Sequence, residues 1–420
     1  MLKSWLCLLN EGGRDLERAS ATIKNQAENM FEQLKMWRRR FHQHPELSFQ
    51  EMDTSRFVVD YLNTLPGIQV NSGVGYQTAV TGTISSGSGP TIAIRVDMDA
   101  LPIQEENDVD YMSKKEGVMH ACGHDAHTAI GLGCASLMAS FFQKGLIQGT
   151  VKLLFQPAEE RADESGLTGA QHMIEGGVLH HVDAAIALHM NPEKPLGEML
   201  IHDGYSMGNV DVFESTIYGS GGHGAYPHLG TDPLWMLNHV LTGIYSIPGR
   251  LISALDSAVI SVGSIHAGAQ NNVIPSEVKL FGTIRTYQPD VQEKAHAALQ
   301  NIFSVVERLG GSYDLNIRNE DSALNNDARM NRFIRLACDE LYPDFIQHDM
   351  PFGLGGEDFA NVADKVPSAM FFLGCNTDYL KNGMLHTPTF DIAEDVLPVG
   401  VAILSLAAIM YLDAGGVVNG

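Results

Sequence analysis

Apolar residues recur at helical spacing near the start of the chain and in short continuous runs further on. Met30, Leu34, Trp37 and Phe41 are spaced three or four residues apart with charged side chains between them, which predicts an amphipathic helix that ends before Pro45. Short apolar runs bounded by polar residues predict buried strands. For the first half of the chain, the other predicted elements are helices 54–62 and 126–142 and strands 75–85, 91–96, 151–155 and 184–188.

The hydrophobic pattern changes after about residue 204. The next six elements follow the order of a ferredoxin-like α+β module, namely strand 210–218, helix 232–246, strands 258–266 and 277–286, helix 290–309 and strand 313–317. The first pattern then resumes with helix 328–341, a helix from about 358, strand 369–374 and helix 394–411. We therefore predict an α/β domain, with a mostly parallel sheet and helices on both faces, formed by 1–204 and 320–420 and interrupted by an inserted ferredoxin-like domain at 205–319.

The net charge of −23 over 420 residues argues against two classes of partner. So acidic a chain is a poor ligand for nucleic acid and for anionic membrane surfaces, and an anionic substrate would need local cations to hold it. The five cysteines are few and widely spaced, which predicts no disulfide framework and favours a reducing compartment. No stretch reaches the expected length of a transmembrane helix, and the apolar run 5–9 is too short for a signal peptide. We expect a cytoplasmic protein.

Residues 120–128 concentrate side chains that bind transition metals. The run His-Ala-Cys-Gly-His-Asp-Ala-His-Thr holds three histidines, one cysteine and one aspartate. Thiolate, imidazole and carboxylate are the usual ligands of such ions, and Cys122 and His124 are close enough in sequence to reach one ion. The cluster indicates a metal site only if distant parts of the chain supply further ligands.

Polar residues follow or end three of the predicted strands. Asp97 and Asp99 follow one strand, the pair Glu159-Glu160 follows the next, and His189 ends the third. The carboxyl ends of parallel strands share one edge of a sheet, where α/β folds bind ligands. Adjacent glutamates in extended backbone point in opposite directions, so one can bind metal while the other exchanges protons with a water. Each residue alone has a plainer interpretation, as a solvated carboxylate or a structural histidine, and only the set indicates a site.

Ten short motifs together carry a close resemblance to a known family. They are Phe-His-Gln-His-Pro-Glu (41–46), Asp-Met-Asp-Ala-Leu-Pro (97–102), His-Ala-Cys-Gly-His-Asp-Ala-His (120–127), Phe-Gln-Pro-Ala-Glu-Glu (155–160), Ala-Leu-His (187–189), Gly-Gly-His-Gly-Ala-Tyr-Pro-His (221–228), Asn-Val-Ile-Pro (272–275), Gly-Thr-Ile-Arg (282–285), Gly-Gly-Glu-Asp-Phe (355–359) and Leu-His-Thr-Pro (385–388). In this order they resemble the M20 metallopeptidases, and within them the amidohydrolases that cleave N-acyl amino acids, from about Arg38 to the C-terminal helix. Cys122 favours this branch over the carboxypeptidase and dipeptidase branches.

The resemblance implies a centre of two divalent metal ions. Its ligands would be five side chains, with the Cys122 thiolate shared between the ions: Cys122, His124, Glu160, His189 and His386. Glu159 would be the general acid/base, and Asp99 would support the site without binding metal. This ligand set suits Mn²⁺ or Zn²⁺, while Co²⁺ and Ni²⁺ stay open as alternatives. Thr387 stands where related sequences often have a second histidine, which leaves the ligand role with His386.

The resemblance also implies roles for residues of the inserted domain. His223, in a glycine-rich turn, would stabilise the oxyanion of the tetrahedral intermediate, often in the active site of a partner subunit. Asn272 and Arg285 would bind the carboxylate of the substrate, and Arg285 would supply the cation that so acidic a protein needs for an anionic substrate. The plainer interpretation of Arg285 is an exposed strand residue. The inserted domain would pair subunits into a homodimer, and a higher oligomer stays open.

The implied function is hydrolysis of the linear amide bond of N-acyl amino acids or related amino acid conjugates, by a metal-bound hydroxide generated with Glu159. A dipeptidase or aminoacylase of the same superfamily is the alternative among enzymes, and Cys122, in place of the usual carboxylate bridge, argues against it. A metal-binding homologue without turnover is the alternative outside enzymes, and the presence of Glu159 and His223 argues against that. The motifs do not determine the acyl group or the preferred amino acid.

Overall fold

A computed structural model describes residues 20–376 and 383–416, which form two compact units. The first unit takes the described residues of Met1–Gly204, Asn325–Pro351 and Asn361–Gly420, and the inserted unit takes Tyr205–Leu324 and Phe352–Ala360. The apolar run 5–9 and the beginning of the predicted first helix lie outside the described residues.

The inserted unit reaches beyond the predicted range 205–319. It extends to Leu324, and a short distant segment joins it by backbone pairing. The Phe352 amide donates to the Ser206 carbonyl at 3.0 Å, and the Gly208 amide donates to the Gly355 carbonyl at 3.0 Å. Pairing between segments so far apart in the chain leaves no mark on local hydrophobic periodicity, which is why the sequence does not predict it.

Helices and strands alternate along the described residues. The helices are α1 (20–29), α2 (Phe31–Gln43), α3 (Met52–Leu62), α4 (His124–Gln143), α5 (Gly169–Glu175), α6 (Pro233–Ser246), α7 (Pro289–Phe303), α8 (Val305–Arg308), α9 (Ala328–Leu341), α10 (Phe359–Ala363) and α11 (Val396–Asp413). The strands are β1 (Gln69–Ser72), β2 (Val80–Ser85), β3 (Thr91–Asp97), β4 (Thr150–Gln156), β5 (Ala184–Pro195), β6 (Glu198–Leu200), β7 (Gly204–Tyr205), β8 (Val210–Tyr218), β9 (Gly222–His223), β10 (Ala258–Ala267), β11 (Val273–Ile274), β12 (Glu277–Thr286), β13 (Ser312–Asp321), β14 (Asn325–Asn326), β15 (Ile346–His348) and β16 (Ser368–Asn376). The elements that the sequence does not predict are α5 and short strands, because elements of so few residues are too short to show a clear hydrophobic period.

The first unit is built on an eight-stranded sheet in the order β1-β2-β4-β3-β5-β16-β6-β15. Its central strands β4, β3, β5 and β16 run parallel, whereas β1, β2 and β6 join by antiparallel pairing. Strands β3 and β16 are buried along nearly their whole length, which explains their continuous apolar runs. The predicted α/β class with a mostly parallel sheet is therefore confirmed, and the parallel strands share one carboxyl edge.

Helix α4 packs on this sheet, and its start carries the metal-binding motif. The helix begins at His124, two residues earlier than predicted, after Gly123 in the left-handed region with φ of 92°. Glycine adopts this conformation without strain. A Cβ at this position would also lie 2.9 Å from Cγ of Met190, so the close approach of β5 requires glycine. The turn between Cys122 and His124 is therefore set by this one glycine.

Strand β5 is longer than predicted, and the prediction that His189 ends it is wrong. The strand continues to Pro195 because β16 pairs with it on one side, with Phe372 opposite His189. On the other side, pairing with β3 stops at Ala187. His189 thus lies inside its strand but beyond the last residue paired with β3.

Helix α11 contradicts the prediction that no stretch reaches the length of a transmembrane helix. Val396–Asp413 is long and apolar enough to cross a membrane by length and composition, although the sequence analysis found no such stretch. Within the structure, 89% of this segment is buried. It packs against α4 and α9 and against the sheet, so it is apolar on all sides because protein covers all sides.

The inserted unit has the predicted ferredoxin-like topology. Its antiparallel sheet has the order β10-β12-β8-β13, in which the first strand of the module lies between the third and the fourth. Strands β8 and β12 alternate between buried and less buried residues, so one face is covered. Helices α6 and α7 cover that face around a separate apolar core.

Candidate metal centre and active site

The five residues predicted as metal ligands lie together in the first unit. Two groups of side chains bring their ligand atoms within 4.8 Å of one another, one of Cys122, His124 and His189 and the other of Cys122, Glu160 and His386. Cys122 belongs to both groups. Residues from the start of α4, the loop after β4, strand β5 and a distant loop therefore lie together around one thiol.

His189 presents an unprotonated nitrogen to Cys122. Its Nδ1 lies 2.8 Å from the Met190 carbonyl, and a carbonyl can only accept, so Nδ1 carries the proton. Nε2 is then the lone-pair atom, 3.4 Å from Cys122 Sγ. Histidine ligands commonly have their other nitrogen fixed by such a bond, which sets the tautomer that metal binding needs.

His124 has a buried nitrogen without a hydrogen-bond partner among the described residues. Its Nδ1 donates to the Asp99 carbonyl at 2.9 Å, with Oδ1 of the same residue at 3.2 Å. Its Nε2 has no hydrogen bond and faces Asp97, Glu160 and Glu159, whose nearest oxygens lie 3.8, 3.9 and 4.0 Å away. A cation here would give this nitrogen a partner, and the surrounding carboxylates would match its charge.

Asp99 supports two of the candidate ligands at once. Besides its contact with His124, its Oδ2 accepts hydrogen bonds from the Ser48 hydroxyl at 2.7 Å and from the Glu160 amide at 3.0 Å. These contacts fix the imidazole of one ligand and the backbone of the other. The supporting role expected for Asp99 agrees with this geometry.

His127 is excluded as a ligand in this arrangement because both of its ring nitrogens are occupied. Nδ1 lies 2.7 Å from Oδ1 of Asp97, and Nε2 accepts the Met190 amide at 3.0 Å. Asp97 also binds the Arg95 guanidinium at 2.6 Å. These residues form a buried framework behind the site.

The loop that carries Glu159 and Glu160 is held from beneath by Glu51, which the sequence analysis did not single out. Ala158 has φ of 48°, an unfavourable conformation for a residue other than glycine. Its amide donates to Glu51 Oε1 at 2.9 Å, and the other oxygen accepts the Thr78 hydroxyl at 2.8 Å. Burial and nearby Asp99 raise the pKa of Glu51 to about 7. Only tertiary packing reveals this residue, since it lies 107 positions from its partner.

His386 reaches the site from the C-terminal part of the chain. Its Nε2 lies 3.2 Å from Oε1 of Glu160, and the nearby carboxylate raises the pKa of the imidazole. Its backbone is in the left-handed region with φ of 62°, and its amide donates to the Ala121 carbonyl at 2.8 Å. The Thr387 hydroxyl donates to Met384 of its own loop, so Thr387 does not replace a histidine ligand.

The electrostatics of the site favour a bound cation. Burial, with the charges of Glu160, Glu159 and Asp97, raises the pKa of Cys122 well above its usual range. Burial opposes protonation of His124, but Asp97 and Asp99 outweigh it and raise its pKa to about 10. Without metal, both groups are therefore protonated at neutral pH. Divalent ions would displace these protons and match the surrounding carboxylates, so the residues fit the metal centre that the sequence implies.

Within the inserted unit, His223 and Asn272 are neighbours. His223 pairs with Val273 across β9 and β11, and the Gly224 amide donates to the Asn272 carbonyl at 2.8 Å. The Ala225 amide donates to Nδ1 of His223 at 3.0 Å, which leaves the proton of a neutral imidazole on Nε2. The exposed His223 can therefore donate a hydrogen bond through Nε2.

Arg285 lies on β12 of the inserted unit, half-buried. Its Nη1 lies 3.5 Å from the Asp211 carbonyl and 3.4 Å from the Ile284 carbonyl. Burial lowers the pKa of the guanidinium, although Glu320 and Asp211 oppose the shift. Asp211 is itself buried and accepts hydrogen bonds from Asn209, Gln292, His296 and Asn319. The segment 205–211, which has no assigned role in the sequence analysis, therefore anchors the start of the inserted sheet.

Comparisons with known proteins reveal similarity over most of the chain. The sequence profile of Peptidase family M20/M25/M40 matches residues 93–409. Thermostable carboxypeptidase 1 of Saccharolobus solfataricus is 36% identical over 396 residues, which cover 93% of this chain and 98% of that protein. N-acetylcysteine deacetylase of Bacillus subtilis is 34% identical over 382 residues, which cover 90% of this chain and 96% of that protein. A crystal structure of a Bacillus subtilis protein described as a dinuclear metal binding peptidase from the M20 family has a TM-score of 0.79 and 30% identity, covering 92% of this chain and 99% of that one.

Proposed function

Since this chain belongs to peptidase family M20/M25/M40, we propose that it hydrolyses the amide bond of N-acyl amino acids or related amino acid conjugates with two divalent metal ions. The observation that carries the proposal is the position of the Cys122 thiol in two groups of candidate ligands, with the His124 nitrogen buried and unpartnered among the described residues. We propose Cys122, His124, Glu160, His189 and His386 as the ligands. When bound, the ions would polarise the scissile carbonyl and acidify a water molecule.

Glu159 is the proposed general acid/base. Both adjacent carboxylates are nearly buried and lie about equally far from His124 Nε2, Glu159 at 4.0 Å and Glu160 at 3.9 Å. Glu160 also contacts His386, another candidate ligand, at 3.2 Å, which favours the ligand role for Glu160 and the acid/base role for Glu159. Glu159 would take a proton from the attacking water and later deliver it to the departing amine.

The inserted unit is proposed to bind the rest of the substrate. The Nε2 proton of His223 would donate to the oxyanion, and Asn272 and Arg285 would bind the free carboxylate of the amino acid. Arg285 is a fixed cation in a protein of net charge −23, which supports its role toward an anionic substrate. Deacetylation of N-acetylcysteine and carboxypeptidase action share this chemistry, because each breaks an amide whose amine side is an amino acid with a free carboxylate.

Carboxypeptidase activity is the second candidate function, favoured by the 36% identity to a thermostable carboxypeptidase. The two activities differ in what lies on the acyl side, a simple acyl group or a peptide. A panel of N-acetyl and N-benzoyl amino acids, together with N-blocked dipeptides, separates them after reconstitution with Mn²⁺ or Zn²⁺. Comparing the activity restored by Mn²⁺ with that restored by Zn²⁺ also tests which metal the centre prefers.

We expect N-acyl amino acids to be hydrolysed, and their carboxyl amides to react with kcat/KM lower by about 10- to 100-fold. A hydrogen bond to a charged group is worth about 1.5 to 3 kcal/mol, which corresponds to that factor. Steady-state rates of each acid and its amide provide the measurement. Metal-loaded protein that cleaves no member of the panel would contradict the proposed function, and equal rates for acids and amides would contradict carboxylate binding.

We propose that the inserted unit pairs two copies of the chain and that His223 acts in the partner's active site. Exposed apolar side chains support pairing, since Leu234 and Trp235 of α6 and Val259 and Ile265 of the edge strand β10 are all more than 40% exposed. A monomeric protein of this size would leave such large side chains in water.

Mixing His223→Ala with Glu159→Gln subunits tests this arrangement. If His223 acts across the dimer, each mixed dimer contains one intact site. We expect about a quarter of wild-type activity after subunit exchange, since about half of the dimers are mixed. Each variant alone supplies the control, and sedimentation velocity reports the oligomer. No gain above the unmixed variants would contradict action in the partner's site.

A further inference from the structure

Arg38 is a fully buried guanidinium that none of these roles uses. Its Nε lies 2.8 Å from Asp125 Oδ2, its Nη2 lies 2.7 Å from Asp391 Oδ1, and its Nη1 lies 3.5 Å from Glu394 Oε1. Arg38 and Asp125 have no exposed side-chain surface. Three carboxylates from distant parts of the chain therefore meet on one buried cation.

These carboxylates belong to the two halves of the proposed metal centre. Asp125 directly follows His124 in the first turn of α4. Asp391 and Glu394 follow His386 in the segment that leads to α11. One guanidinium thus connects the start of the helix that carries one candidate ligand with the loop that carries another, more than 250 positions later in the chain.

Further contacts leave this network little freedom. The Tyr111 hydroxyl donates to Asp391 Oδ2 at 2.6 Å, so both carboxylate oxygens of Asp391 are bound. His42 lies between Asp125 Oδ2 at 2.8 Å and Glu105 Oε1 at 3.1 Å. A buried carboxylate without a cation is strongly unfavourable, so loss of Arg38 would disfavour the position in which the loop buries Asp391.

The loop needs such an anchor because His386 itself is held weakly. Its side chain is 52% exposed, and its backbone is in the left-handed region. Its amide donates a hydrogen bond to the carbonyl of Ala121, the residue before Cys122. A strained conformation persists only where surrounding contacts determine it. Phe390 and Ile392 anchor the end of this segment in the apolar core, and the pair Arg38–Asp391 adds a buried ionic contact beside them.

We propose that Arg38 is a positioning residue which, through Asp125 and Asp391, holds the His386 loop against the start of α4 and so sets His386 beside Glu160 and Cys122. The inference rests on the proposed metal centre. It assigns to the Arg38–Asp391 pair an effect on one ion in particular, the ion bound by Cys122, Glu160 and His386. The ion bound by Cys122, His124 and His189 keeps its ligands, because none of them belongs to the loop.

A purely structural role for the same network gives a different result. It would lower the stability of the whole unit and affect both ions only through unfolding. Affinity for each ion, measured in folded protein, therefore separates positioning from general stabilisation.

The test is Asp391→Asn, together with Arg38→Met, titrated with Zn²⁺ by calorimetry and checked by elemental analysis. Asparagine keeps an oxygen that Arg38 and Tyr111 can bind but removes the charge that holds the loop. For Asp391→Asn we expect affinity for one ion to fall by about 10- to 100-fold, the usual effect of removing a residue that orients a metal ligand, while affinity for the other is unchanged. Arg38→Met also leaves Asp125, beside His124, without its cation and is expected to weaken both ions. If Arg38→Met does not fold, Asp391→Asn decides the question alone.

Leu404→Ala is the matched control. Leu404 is a fully buried core residue of α11, so its truncation lowers stability without touching the network. We expect this variant to bind both ions as the wild type does. Two ions bound with wild-type affinity by folded Asp391→Asn, or an equal loss of both, would overturn the positioning role. A wild-type protein that binds fewer than two ions would instead overturn the metal centre itself.

Discussion

Replacing Glu159 by glutamine is expected to lower kcat by about 10²- to 10⁴-fold while both metal ions stay bound. Glutamine has nearly the same shape as glutamate but cannot accept the proton of the attacking water at neutral pH. The expected loss is therefore that of proton transfer alone. Steady-state kinetics on the best N-acyl amino acid, with metal content measured on the same sample, provide the test.

Two further substitutions make this result specific. Glu160→Gln changes the neighbouring carboxylate, which contacts His386 at 3.2 Å, and is expected to lower metal affinity as well as rate. Glu164→Gln changes an exposed carboxylate a few residues later and is expected to leave both unchanged. A Glu159→Gln protein that keeps its ions and retains wild-type kcat would show that the proton acceptor is another group.

Replacing Cys122 by serine is expected to weaken the binding of both ions by more than about 100-fold and to abolish activity. Removal of a residue that only orients a ligand already costs about 10- to 100-fold in metal affinity, and Cys122 is a proposed ligand of both ions. The serine hydroxyl has nearly the same position as the thiol but does not ionise as readily. Zn²⁺ titration of the metal-free variant measures the effect.

A ligand that belongs to only one of the two groups is expected to affect only one ion. His386→Ala removes a residue of one group and is expected to lose one ion, whereas Cys122→Ser loses two. Cys134→Ser makes the same chemical change at a thiol buried in the core of α4 and should keep both ions. Equal stoichiometry in Cys122→Ser and His386→Ala would contradict a shared thiolate.

The pH dependence of wild-type binding provides an independent control. The pKa of His124 is about 10 without metal, and that of Cys122 is raised well above its usual range, so an entering ion must displace a proton from each. Affinity should therefore rise with pH across the neutral range and fall as the solution becomes acidic. Calorimetry in buffers of different ionisation enthalpy would reveal the released protons.

Much of the fold could be predicted because burial leaves a local mark on the sequence. The continuous apolar runs of β3, β4 and β5 follow from burial on both faces, and the alternation in β8 and β12 follows from burial on one. The short strands and α5 could not be predicted, since a few residues held by neighbours show no clear period. The end of β5 was wrongly predicted because pairing with β16, which is distant in the chain, extends it past His189.

The residues of the candidate site could be predicted from the family motifs, but their contacts could not. The sequence determined the α/β class, the motifs and the side chains with suitable chemistry, because these depend on local pattern and residue identity. Only the tertiary structure decided that the Nε2 of His124 is buried among carboxylates, that hydrogen bonds occupy both nitrogens of His127, and that Glu51 lies beneath the glutamate pair. It also brought Arg38 to Asp391. The physical reason is that hydrogen bonding, burial and charge depend on neighbours in space, and here these neighbours are brought together from opposite ends of the chain.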